Sequence, residues 1–247
     1  MSLGKTCVAF LLCCAVFIEA SPYSTDYTEA LNANDKTQHK DCRSIMKAGY
    51  NMSGVYRLSL NGTNYNLPCE FKDGNAFTVI LRRWSNSISF IQSWGAYESG
   101  FGHPQDNYWA GLSAIYALTT QGNNNLQINM QDWSGNNQNA VYSQFYLENR
   151  NTRYRLHVGP YRGSLPDELS YNNNMPFSTI DAPDPYGCAS NMKAGWWYNY
   201  CSYTLPTGFY YPNGWYTPSG SMYDGIFWKD WYGYNYSLKF MSMTLSN

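Results

Sequence analysis

Four cysteines constrain this chain more than anything else in it: Cys42, Cys69, Cys188 and Cys201. Their meaning depends on the compartment, and the start of the chain speaks to that. Lys5 precedes an apolar run from Val8 to Ile18, and Glu19-Ala20-Ser21 follows. A short basic region, an apolar run and a small residue at the break have the form of a signal peptide, here residues 1–20. The run is too short to span a bilayer, and no later stretch is apolar enough to do so. Three of the seven cysteines, Cys7, Cys13 and Cys14, leave with that segment. An even number remaining in an oxidising, extracellular compartment predicts two disulfides, with three pairings open. Pairing neighbours in sequence closes two modest loops and keeps the chain halves separate. A tetrathiolate metal site would call for a Cys-x-x-Cys pair, and the sequence has none.

A chain of 247 residues suits one large domain or two small ones. Charged residues make up only 13% while Phe, Trp and Tyr make up 18%, and the formal net charge is −1. No global field therefore steers the chain to nucleic acid or to an anionic membrane. Tyr, Trp and Asn in such numbers are the residues that sugar-binding and paratope-like surfaces use: flat amphipathic rings beside amide donors and acceptors. A secreted, mostly β domain that is merely rich in tyrosine has the same composition.

Residues 21–40 are polar and without apolar periodicity, and they read as a disordered lead-in. The ordered domain is expected over 41–247. Val55–Leu60 alternates like a strand and ends at Asn61-Gly62, a hairpin signal. Phe77–Trp84, Leu126–Met130, Tyr154–Val158 and Tyr236–Leu245 also read as strands. Short helices are predicted within Ile45–Gly49, Ile88–Gly95 and Ser113–Thr119. From about residue 159 to 235 the chain is mostly Gly, Pro, Asn, Ser and aromatics, a loop-rich lobe that needs disulfide and aromatic support. Sequons begin at Asn51, Asn61 and Asn235. The first two lie near predicted turns and are the expected glycan sites, whereas the third opens a predicted core strand.

Catalytic chemistry finds little foothold. His39 sits in the lead-in, His157 lies within a strand pattern, and no G-x-S-x-G, H-E-x-x-H or phosphate-cradling glycine loop accompanies them or His103. The expectation is that the chain is not an enzyme. Asp181 and Asp184, three apart on a Pro/Gly loop, read either as ligands of a modest Ca²⁺ site or as an ordinary Asp-Pro turn.

Several segments, taken in order, resemble one known family. They are "GVYRL" (54–58), "TVILRRW" (78–84), "YWAGL" (108–112), "LQINMQDW" (126–133), "YRLHVGPYRG" (154–163), "FSTIDAPD" (177–184) leading to Cys188-Ala189, "GWWYNYC" (195–201) and "YDGIFWKDWYGYNYSLKFMSM" (223–243). Together they are similar to the fibrinogen C-terminal domain, shared by fibrinogen chains, ficolins, tachylectins, angiopoietins and tenascins. The resemblance covers residues 41–247.

The resemblance implies an α+β, mostly β fold: a central twisted antiparallel sheet with short helices and a loop-rich C-terminal lobe. It implies disulfides Cys42–Cys69 and Cys188–Cys201, a Ca²⁺ site in the C-terminal lobe, and beside it a pocket for acetylated sugars or for a peptide amino terminus. That pocket maps onto Asn191, Met192, Tyr200, Cys201, Ser202, Tyr223, Asp224 and Tyr234, with Trp196 and Trp197 in the supporting core. The peptide bond before the second cysteine, Tyr200-Cys201, is expected to be cis in the manner of the family. Departures matter too. The calcium loop is shortened and interrupted by Pro183 and Pro185, which puts Ca²⁺ in doubt. Ser202 stands where the family usually has histidine, and Phe77 where it has tryptophan. Asp224 follows the peptide-binding members. Residues 21–40 carry neither collagen-like nor coiled-coil segments, so an oligomer would need the domain's own surface, the alternative being a tight one-to-one complex. The function expected is secreted, lectin-like recognition of carbohydrate or acetylated groups, of innate-immune type. The alternatives are a protein ligand in cell–cell, receptor or gamete recognition through the same lobe, with a cell-surface protein as partner, and, below these, a matrix role.

Overall fold

The structure, a computed structural model, describes residues 28–29, 38–218 and 220–247. The signal peptide expected over 1–20 lies outside the described residues, as does most of the lead-in. Within the lead-in, β1 (Thr28–Glu29) pairs in parallel with Gly54 and Val55. His39 is buried, and its carbonyl accepts the Ser59 N–H at 2.7 Å.

Two tight hairpins build the first half of the sheet. β2 (Gly54–Leu60) and β3 (Thr63–Lys72) meet at Asn61-Gly62, and β3 and β4 (Asn75–Arg83) meet at Asp73-Gly74. All four turn residues have positive φ, between 49° and 80°, as a two-residue loop matched to strand twist requires. α1 (Cys42–Lys47) is closed by a capping box between Asp41 and Ser44, and it carries Cys42 to its disulfide with Cys69 on β3. α2 (Trp94–Ser99), β5 (Phe101–Gly102), β6 (Tyr108–Trp109) and α3 (Leu112–Thr120) follow. Then come β7 (Asn125–Gln131), β8 (Asn137–Leu147) and β9 (Leu156–Gly163). Two short helices, α4 (Cys188–Met192) and α5 (Lys229–Tyr232), interrupt the loops that lead to β10 (Phe240–Ser246).

The main path of the sheet runs β1-β2-β3-β4-β10-β7-β8-β9. The last strand is thus its keystone: β10 pairs antiparallel with β4 on one side and β7 on the other, and its residues 240–245 are all buried. Both of its faces are covered, so the polar Ser242 and Thr244 are buried along with the apolar residues between them. The architecture is the expected α+β, mostly β fold, with an antiparallel sheet, short helices and a loop-rich segment between β9 and β10.

The helix expected within Ile45–Gly49 lies at Cys42–Lys47, and three further boundaries moved for a clear local reason. The strand expected from Tyr154 starts at Leu156, because Arg153 and Tyr154 sit in left-handed conformation (φ 55° and 49°) after a 3₁₀ turn. It then runs on through Pro160, which the sheet tolerates because β9 is an edge strand. The helix expected within Ile88–Gly95 begins only at Trp94, where Ser93 caps it by accepting the Ala96 N–H. The strand expected from Tyr236 starts at Phe240, since Tyr236 bridges to Trp215 and the Leu238 N–H goes to Ile226 instead.

Candidate functional site

Between β9 and β10 the lobe is held by rings and by side-chain hydrogen bonds. Trp196 and Trp197 are fully buried against each other, centroids 4.9 Å apart. Trp197 also packs on Phe177, on Phe145 of β8 and on Trp109 of β6, and its indole N–H donates to the Tyr154 carbonyl at 2.7 Å. The lobe is thereby anchored to the sheet through one side chain. A second anchor is Arg83, at the end of β4. It is buried, donates to the Gly208 carbonyl at 2.6 Å, and lies 3.8 Å over the Phe90 ring. Burial draws its pKa down to about 9, so it stays a cation at neutral pH.

Cys201 is tied to Cys188 at the start of α4. The Tyr200-Cys201 peptide, expected to be cis, is trans: no cis bond occurs among the described residues. The chain turns there by another means, with both Tyr200 and Cys201 at positive φ, 45° and 73°. Non-glycine residues in that region persist only where the surroundings enforce it. Here the Cys201 carbonyl accepts from the Asn199 N–H at 2.8 Å and from the buried Asn172 side chain at 3.3 Å, while Asn199 reaches back to the Tyr171 carbonyl.

The eight mapped pocket residues divide into three groups. Tyr223, Asp224 and Tyr234 form one cluster. The Tyr223 and Tyr234 rings lie nearly parallel, 5.8 Å apart, and make an aromatic wall backed edge-on by Phe227. Asp224 is only 1% exposed; it accepts the Tyr211 hydroxyl at 2.9 Å and lies 3.8 Å from the Lys193 ammonium. Asn191 belongs to the second group, the rim, where it accepts the Ser221 hydroxyl at 3.2 Å. Tyr200 joins it there, 76% exposed and edge-on to Tyr186. Met192 and Ser202 are buried beneath, with Cys201 half-buried beside Met222. Ser202 donates to Asn172 at 2.9 Å and serves as an interior pin rather than a lining group.

Sequence reasoning missed Lys193, Tyr211, Tyr216 and Asn172. Lys193 carries no motif; it reaches Asp224 because the end of α4 turns it into left-handed conformation (φ 53°). Tyr216 stacks on Tyr211 at 4.0 Å and accepts the Gly225 N–H at 2.7 Å. That approach needs glycine, since a Cβ at 225 would fall 2.7 Å from the Tyr216 ring. The density of tyrosine was the available signal, but density does not say which rings meet.

Asp181 and Asp184 are both committed to backbone donors. Asp181 accepts the Trp94 N–H at 2.8 Å and the Thr179 hydroxyl at 2.7 Å, while Asp184 accepts the Ser190 N–H at 3.0 Å. The two carboxylates thus brace the starts of α2 and α4. Among the described residues no group of three or more His, Cys, Asp or Glu side chains could hold a metal ion. A hard cation such as Ca²⁺ takes six to eight oxygens, of which Asp181 and Asp184 could supply only part.

Glu168 lies below the same surface, buried, with its carboxylate accepting the Asp230 N–H of α5 at 2.9 Å. Burial, and then the nearby Asp230 charge, raise its pKa from 4.5 to about 7. The folded chain therefore holds this proton to higher pH than the unfolded chain does. The stability so gained is complete below pH 4.5 and is lost as pH rises to about 7. Glu168→Gln keeps the acceptor oxygen and should flatten that part of the curve, removing a fall of no more than about 3 kcal/mol. Melting temperatures measured from pH 4.5 to 8 check this; an unchanged slope in the variant refutes it.

No helix among the described residues is long and apolar enough to cross a membrane. The chain is 37% identical over 211 residues to angiopoietin-related protein 6 of Homo sapiens, and 37% identical over 213 residues to angiopoietin-related protein 2 of Mus musculus. Those alignments cover 83% of this chain but 44% and 43% of the relatives, so it spans less than half their length. Among solved structures, the fibrinogen-like globe domain of human ANGPTL6 superposes with TM-score 0.79 at 35% identity, over 85% of this chain and 96% of that one. A lamprey fibrin D-dimer in complex with the peptide Gly-His-Arg-Pro-amide gives TM-score 0.80 at 30% identity, over 87% of this chain and 76% of that one. The family model for the C-terminal globular domain of fibrinogen beta and gamma chains matches residues 38–247. With sheet, disulfides and lobe in agreement, the chain belongs to the fibrinogen C-terminal domain family, and its relatives here are angiopoietin-related proteins rather than ficolins or tachylectins in particular.

Proposed function

We propose that this is a secreted recognition protein whose C-terminal lobe holds carbohydrate or an acetylated group against the Tyr223–Tyr234 wall. The observation that carries this reading is the state of Asp224: buried, bonded to Tyr211 and facing Lys193, its charge is compensated within the chain. Such a surface suits an uncharged polar ligand better than a free ammonium. Flat rings pack on sugar faces or acetyl methyls, and the rim amide of Asn191 offers hydrogen bonds. This reading calls on no Ca²⁺, and Asp181 and Asp184 each already accept a backbone N–H.

A glycan and acetyl-compound array, run with calcium and with chelator, tests this. Binding is expected in both conditions. Tyr223→Ala should weaken it about tenfold, the loss of roughly one ring contact, and leave the melting temperature nearly unchanged because Tyr223 is 41% exposed. Silence across the array would sink the proposal. The second reading is a protein ligand, favoured by the angiopoietin-related relatives and by the peptide held by the lamprey fibrin D-dimer. Capture of a cell-surface protein that Tyr223→Ala abolishes, with no glycan bound, would establish it. The exposed Asn51 and Asn61 are proposed glycan acceptors.

A further inference from the structure

The sheet forks. Along one edge β4 pairs with β10 from Thr78 to Arg83, with a bulge at Ile80, but along the other it pairs with β3 only from Asn75 to Thr78 and then with β6 at Leu81 and Arg82. β5 adds to the outside of β6. Beyond the branch, β3 runs off on one arm and β5–β6 form the other, and between the arms lies a cleft of about 320 Å³.

The sequence explains the branch. Two-residue hairpins place a hydrogen-bonded pair next to the turn, and the pairs then alternate. Counting from Leu60–Thr63, the backbone groups of Tyr65 and Leu67 face β2, while those of Asn64, Asn66 and Pro68 face away from it. Counting from Lys72–Asn75 gives the same phase, with Glu70 and Lys72 facing β4. Pro68 is therefore the next residue due to donate to β4, and it has no N–H. Pairing with β4 stops at Cys69. Past that point Asn64 and Asn66 turn their N–H and C=O groups into the cleft, where no other strand of the described residues meets them.

We propose that this cleft binds a short, uncharged, extended peptide segment of a partner protein, which adds as a strand to the free edge of β3. Recognition is by main-chain bonds to Asn64 and Asn66, the usual mode of strand addition. Alternate side chains of the guest meet the half-buried rings of Tyr65 and Phe101, and none of the residues lining the cleft carries a charge. This site is separate from the C-terminal lobe and independent of what that lobe binds.

Displayed seven-residue peptides without Asp, Glu, Lys or Arg are the probe. A pool selected on the wild-type protein should bind Asn66→Ala almost equally, since the side chain is not the recognition element. It should bind Asn66→Pro at least about tenfold more weakly. That proline deletes the outward N–H and spares the β2 ladder, in which residue 66 makes no bond. On the wild-type protein, peptide should slow hydrogen exchange at the Asn64 and Asn66 amides, a readout that holds even if the proline variant misfolds. Equal binding to Asn66→Pro, loss of binding in Tyr223→Ala, no slowing at those amides, or no enriched pool at all would each overturn the proposal. So would concentration-dependent dimerisation that protects the same amides without peptide.

Discussion

Trp197→Ala should cost this domain about 3–5 kcal/mol of stability, the range for removing a large buried aromatic. Trp197 is wholly buried and touches rings from three separate parts of the chain: Trp109 on β6, Phe145 on β8 and Phe177 in the loop after β9. Truncation removes those contacts together and leaves the Tyr154 carbonyl without its 2.7 Å donor. Because the contacts to Trp109 and Phe145 join the C-terminal lobe to the sheet, the lobe should loosen first. Denaturant unfolding followed by hydrogen exchange checks this, with protection falling earlier over 164–239 than in β10. Tyr200→Ala, which removes a ring 76% exposed, should change stability by no more than about 0.5 kcal/mol. Equal losses in the two variants would refute the anchoring role of Trp197.

Arg83→Ala should be comparably damaging, again about 3–5 kcal/mol, by a different route. The guanidinium is a buried cation that donates to the Gly208 and Pro206 carbonyls and lies over the Phe90 face. It joins the end of β4 to the loop over 206–208, which in turn sits on Gly225 beside the aromatic wall. Alanine leaves a cavity and orphans the carbonyls. Arg83→Met refills most of the volume and leaves only the orphaned carbonyls, so it should recover part of the loss and remain about 1–3 kcal/mol below wild type. Urea midpoints of the two variants separate packing from hydrogen bonding. A methionine variant as stable as wild type would show that the carbonyl bonds contribute nothing net.

Much of the sheet was legible because its strands announce themselves locally. Val55–Leu60 alternates, Asn61-Gly62 marks a turn that only a few residue types can make, and Val79-Ile80-Leu81 is an apolar run that belongs inside. β8 escaped notice. Its sequence, Asn137 to Leu147, opens on three polar residues and breaks its alternation at Ser143-Gln144, and it is a strand because β7 and β9 flank it on both sides. β3 escaped for a related reason: Asn64, Asn66 and Pro68 break any strand pattern, and their oddity became intelligible only when the branch of the sheet gave each one a direction.

The lobe shows the same division more sharply. "GWWYNYC" told of a packed support ending at a constrained turn, and that much rests on chemistry carried by the residues themselves: indoles need burial, and a second cysteine needs a partner. The sequence by itself likewise determined the resemblance to the family, and with it the expected disulfides, and it marked the last segment as a strand; the central place of that strand in the sheet came from the structure. Tertiary structure alone decided that the turn at Tyr200-Cys201 is made with two left-handed residues instead of a cis bond, that Ser202 points inward to Asn172, and that Asp224 is already engaged by Lys193 and Tyr211. Those outcomes turn on where side chains distant in sequence meet. Periodicity and turn chemistry act over a few residues, whereas a charge finds its partner through the whole path of the chain.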